Sequence, residues 1–361
     1  LILILFIFNH VFMDTFSKAN SYFATQSMYN NEVVAPQKLF DKTWKVIYKN
    51  YYESSLNNQN WYRWKSHYQG KIKTEDDARV AIDTMIASLD EPYTRFMPQK
   101  DYEELMTSIT SKIYGIGVNI YSNSGKIEIF NVIPSTPADI VGLKQNDIII
   151  AVDGKEINGM NVSEVAALVR GPENSVVELT VLRAGKKLTK KIKRKEIKIK
   201  NVKSSILDNH IGYIQIISFM GGTTPNEFLE ALENTKNTDS IIIDLRGNTG
   251  GLLDNAVFIA NMFIQQGEIV EIIYRNGYKK SINADSSQKL LNKPVVVLVN
   301  GTSASASEIL SGALKDYHKA KLVGKKTFGK GLVQKVVPLP NKTGLNVTIA
   351  RYRTPNGTDI N

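Results

Sequence analysis

The sequence predicts an α/β multidomain protein, and three observations carry that prediction. Residues 31–110 hold apolar stripes at helical spacing, residues 111–196 break into short β-rich runs parted by turn residues, and from residue 197 strand-like and helix-like patterns alternate. With 361 residues, 42% of them hydrophobic, the chain is long enough for two or three separate cores.

The chain opens LILILFIF, too short to span a bilayer but matching the end of a signal-peptide core or a truncated anchor, and the polar run from Asn20 to Asn31 follows as mature terminus or linker. Residues 1–30 are therefore expected to be a signal-peptide or anchor remnant. The protein is expected to be exported, to the periplasm or the outer face of the cytoplasmic membrane, with membrane association through this end.

In the helical region, Leu39, Phe40, Trp44, Ile47, Tyr48 and Tyr51 form one stripe between Pro36 and Tyr52. A second helix, Thr74 to Leu89, opens with the capping box Thr74-x-x-Asp77.

The net charge of +10 invites a nucleic-acid reading, but Arg183 to Lys203 holds eleven Lys and Arg against the single Glu196, so the excess is one local stripe. Ile192, Ile197 and Ile199 punctuate it with strand-like spacing, so it reads as a solvated strand face rather than a nucleic-acid site. The chain has no cysteine, which excludes disulfides and thiolate metal sites, and its four histidines (His10, His67, His210, His318) leave little for a metal centre. No metal and no cofactor is expected.

Between residues 111 and 196, "IYGIGVNI", "VIPSTPADIVGLKQNDIIIAVDGKEI" and "VVELTVLRAGKKLTKKI" give a glycine turn, a loop with a short helix, and a hairpin. This order resembles a PDZ domain. The resemblance implies that the loop Tyr114, Gly115, Ile116, Gly117, Val118 offers amides to a peptide's terminal carboxylate while the adjoining strand pairs with the peptide. Gly115 and Gly117 would let the backbone turn its amides inward.

In the last third, Ile211 to Phe219, Ile241 to Leu245 and Pro294 to Val299 read as strands; Thr224-Pro225-Asn226-Glu227 starts a helix with Thr224 as N-cap, and Leu252 to Ile264 is an apolar helix. "DLRGNTGG" (244–251) and "NGTSASASE" (300–308) then fall after strands, where ligands of such sheets sit.

"GTSASASE" offers Ser303, Ser305 and Ser307 as nucleophiles, and each needs a base. His318 lies roughly 20 Å along a helix from Ser305 at 1.5 Å per residue, too far to serve. His210 has nothing to link it to the serines. A lysine serves if burial keeps it neutral, and "KTFGKGLVQKV" places Lys330 between two glycines with Gln334 four residues on, able to hold the amine without adding charge.

PDZ, DLRGNTGG, GTSASASE and TFGKGLVQ in that order resemble the C-terminal processing peptidases, or tail-specific proteases, over residues 75 to 355. The resemblance implies a crotonase-like (ClpP/crotonase-type) core over residues 197–361 with further chain beyond it, an inserted PDZ domain over 111–196, and a serine endopeptidase. Carried over, Ser305 is the nucleophile, Lys330 its base and Gln334 the lysine's partner; Ser303 and Ser307 are packing or capping residues.

Ser305-x-x-Glu308 is also a capping box, so Ser305 could simply cap the next helix. The same place is chemically useful, because the Ala306 amide would face an oxyanion there, with Gly250 or Gly251 as second donor. Arg170, in "LVRGPEN", is either a sensor of peptide occupancy or a surface charge before a turn. Expected partners are proteins with apolar free C-termini. Two other classes stay open: a PDZ peptide-binding protein that no longer cleaves, and a crotonase-type acyl-CoA enzyme.

Overall fold

A computed structural model describes residues 30–110, 113–197, 200–286 and 291–361; the opening apolar run and Ile199 lie outside them. The chain forms two compact units, one joining the chain up to Thr110 to the chain from Lys200, the other Ser111–Ile199.

In the first unit, one sheet orders its strands Val202–Leu207, Ile211–Ile216, Ser240–Asp244, Val295–Val299 and Lys321–Gly324. The first pair is antiparallel and the rest are parallel, with Ile242 between Tyr213 and Val296, and Val297 beside Leu322. The inner strands SIIID and VVVLV are apolar almost throughout because helices cover such a sheet. Helices Thr224–Asn234, Leu253–Ala260 and Ala306–Asp316 lie between successive parallel strands, and Phe228, Ile259 and Leu310 share a core with Ile243 and Val297.

The second sheet centres on Gly344–Arg353, which pairs antiparallel with Arg95–Met97, Leu332–Pro338 and Gly267–Tyr274; the last also pairs with Lys279–Ala284. Helix Pro36–Asn50 buries its Phe40, Trp44 and Ile47 stripe, and Glu75–Ala87 buries Ile82 and Met85, in one core with Leu345 and Val347 of that central strand. The Thr74–Asp77 capping box forms as expected, the Asp77 amide donating to Thr74 Oγ1 (3.1 Å) and the Thr74 amide to Asp77 Oδ2 (2.9 Å).

Two expected helix limits shift. Thr224 lies inside its helix rather than at the N-cap, a place taken by Thr223, and its hydroxyl donates to the Met220 carbonyl (2.9 Å). Glu227 does not close a cap on Thr224 but accepts from the amides of Asn201 and Val202 (2.6 and 3.0 Å), which ties the helix to the neighbouring strand. The helix after DLRGNTGG runs only Leu253–Ala260, and its apolar continuation to Ile264 is buried as turns rather than helix.

In the second unit, the sheet order is Val118–Asn123, Lys126–Val132, Ile148–Val152, Val176–Arg183, Lys186–Lys193, with a separate pair Ile113–Gly115 and Lys195–Ile197. Val118–Asn123 is an edge strand, and helix Val162–Val169 lies against it. The lysine stripe divides: Lys186, Lys187, Lys191 and Lys193 face solvent from the opposite edge, where charge keeps an open strand from pairing with another chain. Arg194 instead turns inward and is buried. Its guanidinium donates to the carbonyls of Leu168 (3.0 Å) and Val169 (2.9 Å), capping the C-terminal end of helix Val162–Val169.

Candidate active site

The loops that follow strands Ser240–Asp244 and Val295–Val299 meet at the carboxyl end of the parallel sheet. Asn248 joins them. It is fully buried, its amide donates to the Ile216 carbonyl (2.8 Å), and its own carbonyl accepts from the Ala304 amide (3.1 Å) and the Ser307 hydroxyl (2.9 Å).

That meeting separates the three serines. Ser303 and Ser307 are completely buried, and their hydroxyls donate to the carbonyls of Leu245 (2.8 Å) and Asn248 (2.9 Å). Ser305 is half-buried, and its hydroxyl donates no hydrogen bond among the described residues. The Ser305–Glu308 pair has the outline of a capping box, but the serine side chain makes no cap hydrogen bond. The Glu308 amide donates instead to the Ser305 main-chain carbonyl (2.8 Å). Ser305 also sits at φ 54°, ψ −114°, a region unfavourable for any residue with a Cβ, on a tight turn that leads straight into helix Ala306–Asp316. Strained strand-to-helix turns of this kind expose the nucleophilic serine in α/β-hydrolases.

Glu308, 2% exposed, binds the serine turn to the lysine loop. Its carboxylate accepts from the amides of Ser305 (2.8 Å), Gly329 (2.6 Å) and Lys330 (2.9 Å). Tyr352 reinforces the junction, its hydroxyl 2.6 Å from the Lys330 carbonyl and 3.1 Å from that of Ser305.

Burial pushes the Lys330 amine below the ordinary lysine range; Arg95 pushes the same way, while the charges of Glu91 and Glu308 oppose it. The amine rests 4.6 Å from the centre of the Tyr93 ring and makes no hydrogen bond to Ser305 among the described residues. Tyr93 is no competing base, since burial and the same two carboxylates hold its phenol above its usual range. Gln334 donates its amide to Thr348 Oγ1 (3.3 Å), not to the lysine, which leaves its carbonyl oxygen as an acceptor.

Of the two candidate glycines, Gly250 lies against Ser305: a Cβ on it would come within 2.9 Å of Ser305 Cβ and 3.1 Å of the Ala306 nitrogen. Its amide is already spent on Asn248 Oδ1 (2.8 Å). The amides of Gly251 and Ala306 have no acceptor among the described residues. Both glycines hold positive φ, 101° and 146°, so glycine is needed at each on conformational grounds alone.

His67, His210 and His318 are all exposed, and none of them enters this site. Asn248 was missed by the sequence reading, although its place in a glycine-rich turn signals a side chain that bonds the backbone. Glu91 and Thr348 were missed as well, because packing alone brings the charge of Glu91 to the lysine and strand pairing alone sets Thr348 beside Gln334.

In the other unit, the expected loop Tyr114 to Val118 shrinks to Ile116 and Gly117, because Tyr114 and Gly115 pair as strand with Glu196 and Lys195 and Val118 opens the edge strand Val118–Asn123; Ile116 is buried in the core, and of the two glycines only Gly117 turns the backbone, at φ 89°. A Cβ on Gly117 would strike the Thr136 side chain at 2.3 Å. The amides of Ile116 and Gly117 have no acceptor among the described residues, whereas their carbonyls accept from Ala138 (2.8 Å) and Ile133 (2.9 Å). Arg170 is exposed at the C-terminal end of helix Val162–Val169.

Comparison with known proteins agrees on one family. A sequence model of peptidase family S41 matches residues 210–361, and one of the PDZ domain matches residues 128–183. A carboxyl-terminal-processing protease of Synechocystis is 35% identical over 335 residues, covering 90% of this chain and 78% of its own. The carboxy-terminal processing protease CtpA of Bacillus subtilis is 40% identical over 291 residues, covering 79% of this chain and 62% of its own. A solved photosystem II D1 C-terminal processing protease superposes with a TM-score of 0.58 at 31% identity, covering 91% of both chains.

Proposed function

The chain belongs to peptidase family S41, among the carboxyl-terminal processing proteases, and we propose that it cleaves protein tails with Ser305 as nucleophile and Lys330 as base. It is a serine-type peptidase with a PDZ domain. The observation that carries the residue assignment is that Ser305 alone of the three serines has an unspent hydroxyl, on a turn whose amide shares the Glu308 carboxylate with that of Lys330.

Neutral Lys330 takes the Ser305 proton as the oxygen attacks the scissile carbonyl. The amides of Ala306 and Gly251 receive the oxyanion, Ala306 with the positive end of its helix behind it. The lysinium then protonates the leaving amine, and water hydrolyses the acyl-enzyme. Gln334 accepts from the lysine amine through its free carbonyl oxygen and steadies it without adding charge.

The PDZ unit takes a free C-terminus on the amides of Ile116 and Gly117, and the peptide pairs with the open edge of Val118–Asn123. The apolar side chains of helix Val162–Val169 favour an apolar terminal residue. The parallel sheet with its crossover helices fits a crotonase-like core, with helices from the N-terminal region packed on the second sheet. The apolar stretch LILILFIF supports export and membrane association, which cell fractionation tests directly.

The decisive assay is cleavage of an unstructured reporter with an apolar free C-terminus, beside Ser305→Ala, Lys330→Ala and an amidated reporter. Loss of cutting in both variants and weaker cutting of the amidated tail support the proposal. Undiminished cutting by Ser305→Ala refutes it.

A further inference from the structure

Glu91 is carried by the turn Glu91-Pro92-Tyr93-Thr94, more than 200 residues from the lysine in sequence but in the same compact unit. Its Oε1 accepts from the Tyr93 amide (2.7 Å), and its Oε2 from the Thr94 amide (3.0 Å) and hydroxyl (2.7 Å). The same Oε2 accepts from the hydroxyl of Thr348 (2.9 Å), a fully buried residue whose amide donates to Thr94 Oγ1 (3.2 Å).

A carboxylate can only accept. The single proton of the Thr348 hydroxyl is therefore committed to Glu91, and Thr348 can offer Gln334 nothing but a lone pair. That selects the nitrogen end of the Gln334 amide, which donates to Thr348 Oγ1 at 3.3 Å, and turns the carbonyl oxygen away from it. The direction of each bond in this chain of three residues is set at its carboxylate end.

We propose that Glu91 is a positioning residue for the Ser305–Lys330 chemistry: through Thr348 it fixes which end of the Gln334 amide is left to receive the lysine amine. The inference rests on the Ser/Lys reading above. The groups that face Lys330 are Glu91, Tyr93 and Arg95 from the turn and the short strand after it, Glu308 from helix Ala306–Asp316, and Tyr352 from the central strand of the second sheet. The charge of Glu91 favours the ammonium form and opposes the effect of burial. Glu91 therefore acts on the lysine in two separable ways, by charge and by the direction of the hydrogen-bond chain.

The test measures kcat and KM against pH, with thermal unfolding, for the full chain as wild type, Glu91→Gln, Thr348→Val and Ser305→Ala. In Glu91→Gln the acid limb of the kcat profile is expected to move to lower pH, because the charge that favours the ammonium is gone, and the plateau to fall several-fold with KM unchanged. Thr348→Val keeps the carboxylate, so its acid limb stays in place while its plateau falls to a similar extent. A Glu91→Gln profile lowered evenly at every pH, in step with lost stability, overturns the proposal, as does a Thr348→Val enzyme with wild-type kcat. If Glu91→Gln does not fold, the plateau of Thr348→Val decides. Full activity in Ser305→Ala would instead show that the Ser/Lys reading has failed.

Discussion

The main-chain amides of Ser305 and Lys330 donate to one and the same oxygen of Glu308, at 2.8 and 2.9 Å. The proposed nucleophile and base are thus held together through the backbone before any side-chain contact forms. Loss of the clamp should be felt in kcat more than in KM. Glu308→Gln keeps one carbonyl acceptor for the three amides, and cleavage is expected to fall about 100-fold, the scale set by misplacement of a reacting group by an ångström. Steady-state kinetics on the tail reporter checks this, and an unchanged kcat would remove the clamp from the mechanism.

The serines should part in opposite ways. Ser303→Ala takes the acceptor from the Asn300 amide and one of two donors from the Leu245 carbonyl, and Ser307→Ala takes one of two donors from the Asn248 carbonyl; each should lower stability by about 1 kcal/mol, Ser303→Ala by more, while leaving measurable cleavage. Ser305→Ala should unfold close to wild type and be inactive. Ser305→Gly, also inactive, should unfold later than Ser305→Ala by about 1 kcal/mol, because glycine tolerates the positive φ. Denaturant unfolding beside the activity assay distinguishes the three positions.

Gly250→Ala is expected to cost stability and activity together. Its Cβ would stand 2.7 Å from the Ala304 carbonyl oxygen and 2.9 Å from Ser305 Cβ, at a φ of 101°. Backbone strain of this kind is worth about 1–3 kcal/mol before the clash is counted. Normal activity in this variant would mean that the serine turn is free to move away.

The buried lysine carries a pH signature. Because burial lowers its folded-state ionisation, wild type should gain stability as pH rises toward about 10.4, the range where an unfolded lysine loses its proton. Lys330→Met carries no such burden, so it should unfold later than wild type at neutral pH, with the advantage shrinking as pH rises through that range. Activity of wild type should rise as the amine deprotonates. Equal pH dependence of unfolding in both proteins would contradict the assignment of a disfavoured ammonium.

Arg194→Met removes the cap on helix Val162–Val169 without touching the peptidase unit. Affinity for a fluorescent tail peptide should drop, along with the stability of the PDZ unit, while cleavage of a reporter at saturating concentration should be largely retained. Tail binding at wild-type strength would show that this helix is fixed without its cap.

The motifs of the candidate site were legible because each is local, and their order along the chain carried the resemblance that assigns them roles. A serine before a helix, a lysine between glycines and a glycine-rich turn after a buried strand each lie within a dozen residues of sequence, and the parallel strands that carry two of them are unbroken apolar runs. Helix starts such as Thr74 were equally plain, since a capping box needs only residues three apart. Thr224 misled for the opposite reason: Glu227, which would have closed the box, is drawn off by the amides of Asn201 and Val202 on another element.

By itself, then, the sequence determined three apolar strands of the parallel sheet and the nature of both units, and its family resemblance singled out Ser305 and Lys330; it marked none of the strands Gly267–Tyr274, Lys279–Ala284, Leu332–Pro338 and Gly344–Arg353. Tertiary structure decided which serine keeps a free hydroxyl, because Leu245 and Asn248, about 60 positions away, claim the other two. It also decided which glycine amide stays open and which carboxylates surround the lysine. Those choices depend on hydrogen-bond partners brought together by packing, and no periodicity along the chain records who those partners are.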